Sequence, residues 1–300
     1  MVASRTNIEQ VVHGLRNLGE PTRLRLVTLL GHGELTVGEI CLVLGQSQPR
    51  VSRHLRLLAE AGFLDRFREQ QRVYYRTPAS GPRAAWLNEL LAAVDPDDPA
   101  LQHDRMRLAA VVGERQKSAS SALGSDALSN LDQDGLVRVL REELGSSGLG
   151  ELLDIGTGTG WILEVFGAQA IHAVGVDLSA PALRLARARL HGHTLAHCEF
   201  RRGDMYALPF AAESFDTVTI DRVLAMAARP VAVLAEAARV MRPSGRLLVI
   251  DTVDQIRACT GVSPLLGMRG WLQGSGFNLT RLQPCDLASG QYLLASAQRS

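Results

Sequence analysis

The sequence has few cysteines and no long apolar run. Its 300 residues include four cysteines, which form no Cys-x-x-Cys pair and lie in unrelated segments. This pattern predicts reduced thiols and argues against a disulfide framework. No stretch reaches the ~20 apolar residues that a membrane helix needs, and the N-terminus lacks the apolar core of a signal peptide. We therefore expect a soluble, cytoplasmic protein that does not enter a membrane.

Lysine is absent from residues 1–80, where eleven arginines stand against seven acidic residues. This excess of +4 differs from the net charge of +1 for the whole chain. The positive charge is therefore concentrated in the first part of the chain. With 300 residues and 46% hydrophobic content, the chain is long enough for two domains with separate cores.

Short helices are predicted early in the chain. A capping-box pattern at residues 36–39 opens a helix that ends at Gly45. Ser47 then caps a longer predicted helix through Ala61, whose apolar residues recur at spacings of four and three. The opposite face is rich in Arg and Gln, which suits a helix in the major groove of DNA; a solvated charged face is the alternative. The side chains of this helix predicted to contact DNA are Gln48, Arg50, Ser52, Arg53, His54 and Arg56.

A β-hairpin is predicted at residues 62–76, where alternating strands surround a polar turn. Arg66, Arg68 and Arg72 fall near its tip, where guanidinium groups can contact phosphates beside the groove. Residues 15–76 resemble the winged-helix regulators of the ArsR type. The resemblance implies an N-terminal winged helix-turn-helix domain, helical with a small β wing, and a double-stranded DNA operator as its partner. The runs that carry it are Leu18-Gly-Glu-Pro-Thr-Arg-Leu-Arg and Gln46-Ser-Gln-Pro-Arg-Val-Ser-Arg-His-Leu-Arg-Leu-Leu.

Members of that group that sense metals place two thiolates, as Cys-x-Cys, in the helix before the recognition helix. Here Cys41 takes one position and Val43 the other. One thiol cannot form a multidentate soft-metal site, so Cys41 is predicted to be a buried core residue. The histidines near residues 191–197 precede a strand in a predicted loop, and no metal is expected there.

Residues 81–130 are predicted to be a helical linker and dimerisation region. An apolar helical stripe at residues 86–91 either packs into the domain core or makes a homodimer, because dimers let two recognition helices read paired half-sites. Residues 118–130 are small and polar, which predicts a flexible linker or loop. The predicted domains are therefore residues 1–80, which bind DNA, the helical region 81–130, and residues 131–300.

A glycine-rich turn follows a predicted strand at residues 151–155. Its spacing is Gly-x-Gly-x-Gly, which lacks the third glycine of a dinucleotide fingerprint. Asp154 before it would oppose a pyrophosphate but suits a ligand with an ammonium and a sulfonium. The glycines leave no Cβ in the way of such a ligand, and Asp177, at the end of the next strand, can accept both hydroxyls of a ribose. A dinucleotide loop or an ordinary tight turn is the alternative.

Asp154-Ile-Gly-Thr-Gly-Thr-Gly160 resembles the first motif of the class I S-adenosylmethionine-dependent methyltransferases. Arg202-Gly-Asp-Met205 resembles the element after the third strand of that family, and the runs 214–221 and 236–251 resemble the fourth and fifth strands. The resemblance implies a C-terminal α/β Rossmann-like fold with a seven-stranded mixed sheet, and S-adenosylmethionine or S-adenosylhomocysteine as ligand. The residues that it assigns to the ligand are Asp154, Gly156, Gly158, Gly160, Asp177, Leu178, Asp204 and Met205.

The sequence says little about a methyl acceptor, and no catalytic residue is predicted. Asp221 and Arg222, past the fourth strand, either face an acceptor or pair with each other. The chain has neither an Asn-Pro-Pro-Tyr run nor the clustered cysteines that arsenic methylation would need. Two functions are therefore predicted: a transcriptional regulator that senses the adenosyl ligand, or a small-molecule methyltransferase with its own DNA-binding domain. A regulator with a purely structural second domain is a third.

Overall fold

A computed structural model describes residues 7–69, 71–78, 81–123, 133–144, 148–190, 195 and 197–299. The chain forms two compact units. The first is Met1–Ala119 with Arg187–Glu199, and the second is Ser120–Ala186 with Phe200–Ser300. Within the described ranges, no helix has the length and apolar character needed to cross a membrane.

The first unit is a winged helix-turn-helix, as predicted. Its helices are α1 (Ile8–Leu18), α2 (Pro21–Leu30), α3 (Val37–Leu44), α4 (Gln48–Glu60), α5 (Pro82–Ala92) and α6 (Pro99–Leu123). Its strands are β1 (Leu35–Thr36), β2 (Asp65–Glu69) and β3 (Arg72–Arg76). They form an antiparallel sheet in the order β1-β3-β2, so the predicted hairpin gains a two-residue third strand.

Local signals set the ends of the helices before the recognition helix α4. Thr36 and Glu39 form the predicted capping box, and Gly45 ends α3 with a left-handed φ of +64°. Ser47 occupies the N-cap position of α4, but its side chain makes no capping hydrogen bond, contrary to the prediction. Glu20 caps α2 instead of a more usual Ser, Thr or Asp, because its carboxylate accepts from the Arg23 N–H at 2.9 Å.

Helices α5 and α6 pack against the core of the winged helix. In the apolar stripe of α5, Leu87 is fully buried, and the Trp86 ring lies 5.4 Å from the Phe63 ring between centroids. The described contacts of the stripe therefore lie in the core, one of its two predicted places. Leu108 of α6 joins the same core. Cys41 is half-buried at its edge rather than fully buried, and burial raises the pKa of its thiol.

Helix α6 runs further than the composition predicted. Residues 118–123 belong to the helix, whereas the whole segment 118–130 was predicted to be a linker or loop. These six residues contain no glycine or proline, and alanine is the best helix former, so nothing in them stops the helix. Residues 124–130 lie outside the described residues.

The second unit alternates strands and helices. The helices are α7 (Gln133–Leu144), α8 (Trp161–Phe166), α9 (Ala180–Leu190), α10 (Pro230–Val240), α11 (Val253–Thr260) and α12 (Pro264–Gln273). The strands are β4 (Gly150–Ile155), β5 (Ala170–Asp177), β6 (Cys198–Arg202), β7 (Phe215–Asp221), β8 (Met241–Thr252), β9 (Phe277–Leu287) and β10 (Gly290–Arg299). Short 3-10 turns occur at Gly167–Gln169 and Leu224–Met226.

These strands form one seven-stranded mixed sheet in the order β6-β5-β4-β7-β8-β10-β9. Strand β4 is parallel to both β5 and β7, β7 is parallel to β8, and β10 runs antiparallel between β8 and β9. This is the predicted mixed sheet with a C-terminal antiparallel hairpin. The chain order reverses beside β4, and open α/β sheets bind ligands in the crevice at the carboxyl ends of strands at such a point.

Candidate ligand site and DNA-binding surface

Four neighbouring parallel strands of the second unit each carry an aspartate at or next to the carboxyl end. They are Asp177 on β5, Asp154 on β4, Asp221 on β7 and Asp251 on β8. Because these strands are parallel and adjacent, the four carboxyl groups lie along one edge of the sheet. That edge is the usual ligand side of this architecture.

The glycine-rich turn after β4 has left-handed backbone at all three glycines, with φ values of +73°, +53° and +80°. A Cβ on Gly156 would lie 2.3 Å from Cγ2 of Val223, and one on Gly160 would lie 2.7 Å from Cζ of Phe200. The same atom on Gly158 would meet nothing closer than 3.9 Å. Packing within the protein therefore requires Gly156 and Gly160, and the open space expected beside all three glycines lies at Gly158.

Asp177 holds the turn in place. Its Oδ2 accepts from the Gly158 N–H at 2.9 Å, and its Oδ1 accepts from the Ser179 N–H at 2.7 Å. A carboxylate oxygen has two lone-pair sites, so each oxygen can accept one further hydrogen bond from a ligand hydroxyl. The next side chain, Leu178, is 62% exposed and offers an apolar surface beside it.

Asp154 lies beneath the turn and is only 1% exposed. Its Oδ1 accepts from the Thr219 hydroxyl at 2.7 Å, whereas its Oδ2 is buried without a hydrogen-bond partner among the described residues. Burial raises the pKa of this carboxyl to about 7, although the nearby hydroxyls of Thr157 and Thr219 oppose the shift. Asp154 is therefore poised between its neutral and ionised forms near neutral pH.

The element after β6 carries Asp204 and Met205. The carboxylate of Asp204 is exposed, and its Oδ1 accepts from the Tyr206 N–H at 2.9 Å, which shapes a tight turn. Met205 is half-buried against the core of the unit. Both residues therefore lie past the strand next to β5, at the far end of the ligand edge.

The two residues that could have faced a methyl acceptor are paired with each other. Nη2 of Arg222 donates to Oδ2 of Asp221 at 2.7 Å, and the indole Nε1 of Trp161 donates to the same oxygen at 2.8 Å. Nearby, the fully buried Asp251 accepts from the Ala225 N–H at 2.9 Å, and burial raises its pKa to about 6. Trp161 and Thr219 were missed by sequence reasoning, because only the fold brings them to these carboxyl groups.

On α4, the arginines and the glutamine predicted to contact DNA are exposed, and Ser52 is half-buried. His54 differs, because its half-buried ring lies against α2 with Nδ1 3.7 Å from Oε2 of Glu20. Burial lowers the pKa of His54, and Glu20 only partly opposes this shift. His54 therefore contacts the start of α2 and also lines the pocket beside α4 that holds Arg50 and Arg53, so its contact with DNA stays a prediction.

A pocket beside the recognition helix brings three guanidinium groups together, those of Arg23, Arg50 and Arg53. Arg23 lies on α2, and no spacing in the sequence relates it to the other two. No carboxylate lines this pocket, so it suits a phosphate of the DNA backbone. The three wing arginines, Arg66, Arg68 and Arg72, are exposed on the β2–β3 hairpin.

Among the residues that the structure describes, no three His, Cys, Asp or Glu side chains come together as metal ligands would. His191 and His193 lie outside the described residues.

Two family models match the chain, one in each unit. A model described as "Bacterial regulatory protein, arsR family" matches residues 20–66, and a model described as "Methyltransferase domain" matches residues 153–249. The first covers α2 to the start of the wing. The second covers the glycine-rich turn and three of the four edge aspartates, Asp154, Asp177 and Asp221, and ends on β8 before Asp251.

Known proteins resemble each part separately. The arsenic resistance transcriptional regulator ArsR1 of Pseudomonas putida is 42% identical over 103 residues, which are 34% of this chain and 78% of the regulator. The ubiquinone/menaquinone biosynthesis C-methyltransferase UbiE of a Ruegeria species is 39% identical over 103 residues, 33% of this chain and 41% of that enzyme. The arsenite methyltransferase of Halobacterium salinarum is 28% identical over 153 residues, 45% of this chain and 39% of that enzyme.

The match therefore spans about two fifths of each of these two methyltransferases but most of the regulator. The described winged helix and the match to the regulator agree, and the seven-stranded sheet agrees with the methyltransferase model. The chain belongs to the ArsR family of bacterial regulatory proteins, and it joins that family's winged helix to a Rossmann-like methyltransferase domain.

Proposed function

We propose that the protein is a DNA-binding transcriptional regulator whose C-terminal domain binds S-adenosylmethionine or S-adenosylhomocysteine as its signal. One observation carries the proposal, namely how the charged groups on the ligand edge are partnered. Asp221, Arg222 and Asp251 are held by donors and acceptors of the protein itself. Asp154, beneath the open turn, keeps one oxygen that no described residue engages in a hydrogen bond of ordinary geometry, although the Thr157 hydroxyl is nearby. The ligand edge therefore offers available polar groups to the adenosyl ligand, whereas the charged groups that could bind a methyl acceptor are engaged within the protein.

The chemistry of the edge suits each part of an adenosyl ligand. An ammonium or sulfonium near Asp154 would favour the ionised form of a carboxyl group whose pKa is about 7. The open space at Gly158 lets a ligand approach the backbone. Asp177 can accept ribose hydroxyls, and the exposed Leu178 can cover one face of the adenine. Asp204 and Met205 remain proposed contacts for the adenine edge.

DNA recognition in this proposal divides between the helix and the wing. Arg50, Arg53 and their neighbours on α4 reach base edges or phosphates in the major groove. The wing arginines hold phosphates beside it. The adenosyl ligand changes operator affinity by as much as its own affinity differs between the DNA-competent and incompetent states.

A second copy of the chain is the proposed partner for α1. Ile8, Val12 and Leu15 are exposed apolar residues at spacings of four and three, so they share one face of that helix. Burying this face against its counterpart in a second copy would remove it from water and pair two recognition helices. The proposed homodimer would then read two operator half-sites.

An active methyltransferase is the second candidate. Methyl transfer from a sulfonium depends mainly on holding the acceptor in line, and a base is needed only if the acceptor must lose a proton. The internal pairing of Asp221 with Arg222 therefore weighs against this function without excluding it. The methyltransferase domain that the chain carries is the observation in its favour.

Calorimetry on the full chain tests the ligand. Both adenosyl compounds are titrated into the wild type and into Asp177→Asn, which loses one of the two acceptor oxygens that hold the turn. We expect binding by the wild type and at least about tenfold weaker binding by the variant, the loss of one or two hydrogen bonds to a charged group. Asp254→Asn is the matched control, because that aspartate is 95% exposed on α11.

The same proteins separate a sensor from an enzyme. Fluorescence anisotropy with operator DNA measures whether either adenosyl compound shifts affinity, and labelled methyl groups measure turnover. A shift without turnover supports the regulator. Absence of binding by either compound, or DNA affinity indifferent to both, contradicts it, and turnover abolished by Asp177→Asn supports the enzyme.

A further inference from the structure

The first unit contains a cavity of about 480 Å³ between α2, α5 and α6. This volume falls within the ~300–1,000 Å³ of typical small-molecule sites. The cavity and the recognition surface use different sides of α2, because Arg25 lines the cavity and Arg23 lines the pocket beside α4. Residues two apart point about 200° from each other around a helix.

One side of the cavity wall is apolar. Leu29 from α2 and Leu101 and Leu108 from α6 line it and are almost fully buried. Leu91 and Val94, at the end of α5, complete this side. Such a wall suits the apolar body of a small molecule, whose burial would supply most of the binding free energy.

Among the arginine and aspartate side chains on the polar side of the cavity, one positive charge is in excess. Arg25 and Asp104 neutralise each other, since Nε and Nη2 of the arginine donate to the two carboxylate oxygens at 2.7 and 2.5 Å. Arg105 also lines the cavity, and no carboxylate pairs with it among the described residues; its guanidinium donates to the carbonyl of Pro96. Burial, and secondarily Arg105, lower the pKa of His32, which keeps that ring neutral at pH 7.

We propose that this cavity binds a small organic carboxylate with an apolar body, with Arg105 facing the carboxylate. This is a second signal site, and it goes beyond the adenosyl ligand proposed for the other unit. Helix α2 connects it to DNA binding, because the helix that supplies Arg25 and Leu29 to the cavity also supplies Arg23 and Glu20 to the contacts with α4. A bound carboxylate would therefore favour one position of α2 relative to the recognition helix α4.

Calorimetry on the full chain tests the charge and the site. Octanoate is the probe, and octyltrimethylammonium is the control with the same tail and the opposite charge. We expect octanoate to bind once per chain and at least about tenfold more tightly than the cation. Arg105→Gln should weaken octanoate by about tenfold, because a charge-assisted hydrogen bond is lost. Lys117→Gln, on the same helix and 77% exposed, should change its affinity less than about twofold.

A second variant tests whether octanoate occupies the cavity. Leu91→Trp adds a ring to the cavity wall and should abolish octanoate binding, while S-adenosylhomocysteine binding by the same protein stays unchanged. Arg105 is exposed, so the charge test stands even if Leu91→Trp fails to fold. Equal affinity for the anion and the cation, equal losses in the two charge variants, or undiminished binding by a folded Leu91→Trp would each overturn the proposal. 1-Naphthoate serves as a second carboxylate probe with an aromatic body. If neither octanoate nor 1-naphthoate binds, the proposal is overturned, whereas the proposed adenosyl site is not affected by that result.

Discussion

Asp154 is a carboxyl group that the fold keeps from water, and this gives the protein a specific response to pH. Its pKa rises from an ordinary 3.8 to about 7, so the folded protein holds a proton that the unfolded chain releases between those values. Stability therefore falls as pH rises through this window, and the loss is complete above pH 7.

When the pH rises from 5 to 8, the free energy of unfolding of the wild type should fall. We expect this fall to be smaller in Asp154→Asn by roughly 3 kcal/mol. The asparagine can still accept from Thr219 but cannot ionise. Urea unfolding of both proteins at the two pH values measures the difference, with the exposed Asp254→Asn as a control that keeps the wild-type dependence. Parallel pH profiles for wild type and Asp154→Asn would show that the buried carboxyl does not titrate as described.

The recognition helix yields a contrast between neighbouring side chains. Arg53→Ala should weaken operator binding by about 1–3 kcal/mol and, if it contacts a base, relax sequence preference. His54→Ala should leave sequence preference unchanged, because its ring packs against Glu20. Arg68→Ala on the wing should weaken all DNA nearly equally and flatten the salt dependence. Anisotropy with operator and unrelated DNA at several salt concentrations distinguishes these outcomes, and a changed preference in His54→Ala would show that its ring contacts a base.

At the level of helices and strands, two partly buried ion pairs connect α6 to the helix-turn-helix. Arg25 of α2 pairs with Asp104, and Arg115 of α6 pairs with Glu39 at the start of α3, with Nε to Oε1 at 2.8 Å. Burial alone would raise the pKa of Glu39, but Arg115 and the capping contacts of Thr36 outweigh it and lower the pKa. Arg115 therefore holds an ionised capping residue in the core.

Removing that arginine should be costly. We expect Arg115→Met to destabilise the unit by up to about 3 kcal/mol, because the half-buried Glu39 loses its charged partner and keeps only its contacts with Thr36. Arg115→Met combined with Glu39→Gln should recover part of the loss, since the glutamine can still cap α3 without a charge. Thermal unfolding measures both, and Lys117→Met provides an exposed control on the same helix. An undiminished loss in the double variant would show that the arginine acts by packing.

Helix α1 presents a test of the proposed dimer. Leu15→Glu places a charge on its exposed apolar face and should convert a dimer to monomers. Ile171→Glu, at a more exposed apolar position in the other unit, should have no effect. Analytical ultracentrifugation measures the mass of each. A wild-type protein that stays monomeric at micromolar concentration would refute the dimer.

Elements with local signals were predictable from the sequence, and contacts between distant residues were not. The capping box of α3, the glycine at its end and the strands that carry Asp177 and Asp221 follow from spacing and composition. The end of α6 lies beyond its predicted position, because serine-rich composition favours a loop whereas residues 118–123 contain no glycine or proline to end the helix.

The candidate site was predictable in its residue types and not in their surroundings. The aspartates lie at the strand ends where the motifs placed them. That Val223 fills the space at Gly156, that His54 lies against Glu20 and that Asp154 lacks a second partner all depend on residues far away in the chain. A single sequence carries no signal for such contacts.

For the whole molecule, the proposed signalling obeys reciprocity. If S-adenosylhomocysteine changes operator affinity by some factor, operator DNA must change the affinity for S-adenosylhomocysteine by the same factor. Titrating the ligand into protein with and without operator measures the second factor, and anisotropy measures the first. Asp177→Asn should remove both effects together. Two factors equal to one would show that ligand binding and DNA binding are not coupled, which would contradict the proposed signalling.

The hold of Asp177 on the backbone of Gly158 and Ser179 has one more consequence. Because the carboxylate proposed to meet the sugar already fixes the shape of the turn, the receptor is built before the ligand arrives. Little chain entropy is then spent on association, so binding should be fast and its rate limited mainly by diffusion. The turn is therefore preorganised, and it does not have to close around the ligand.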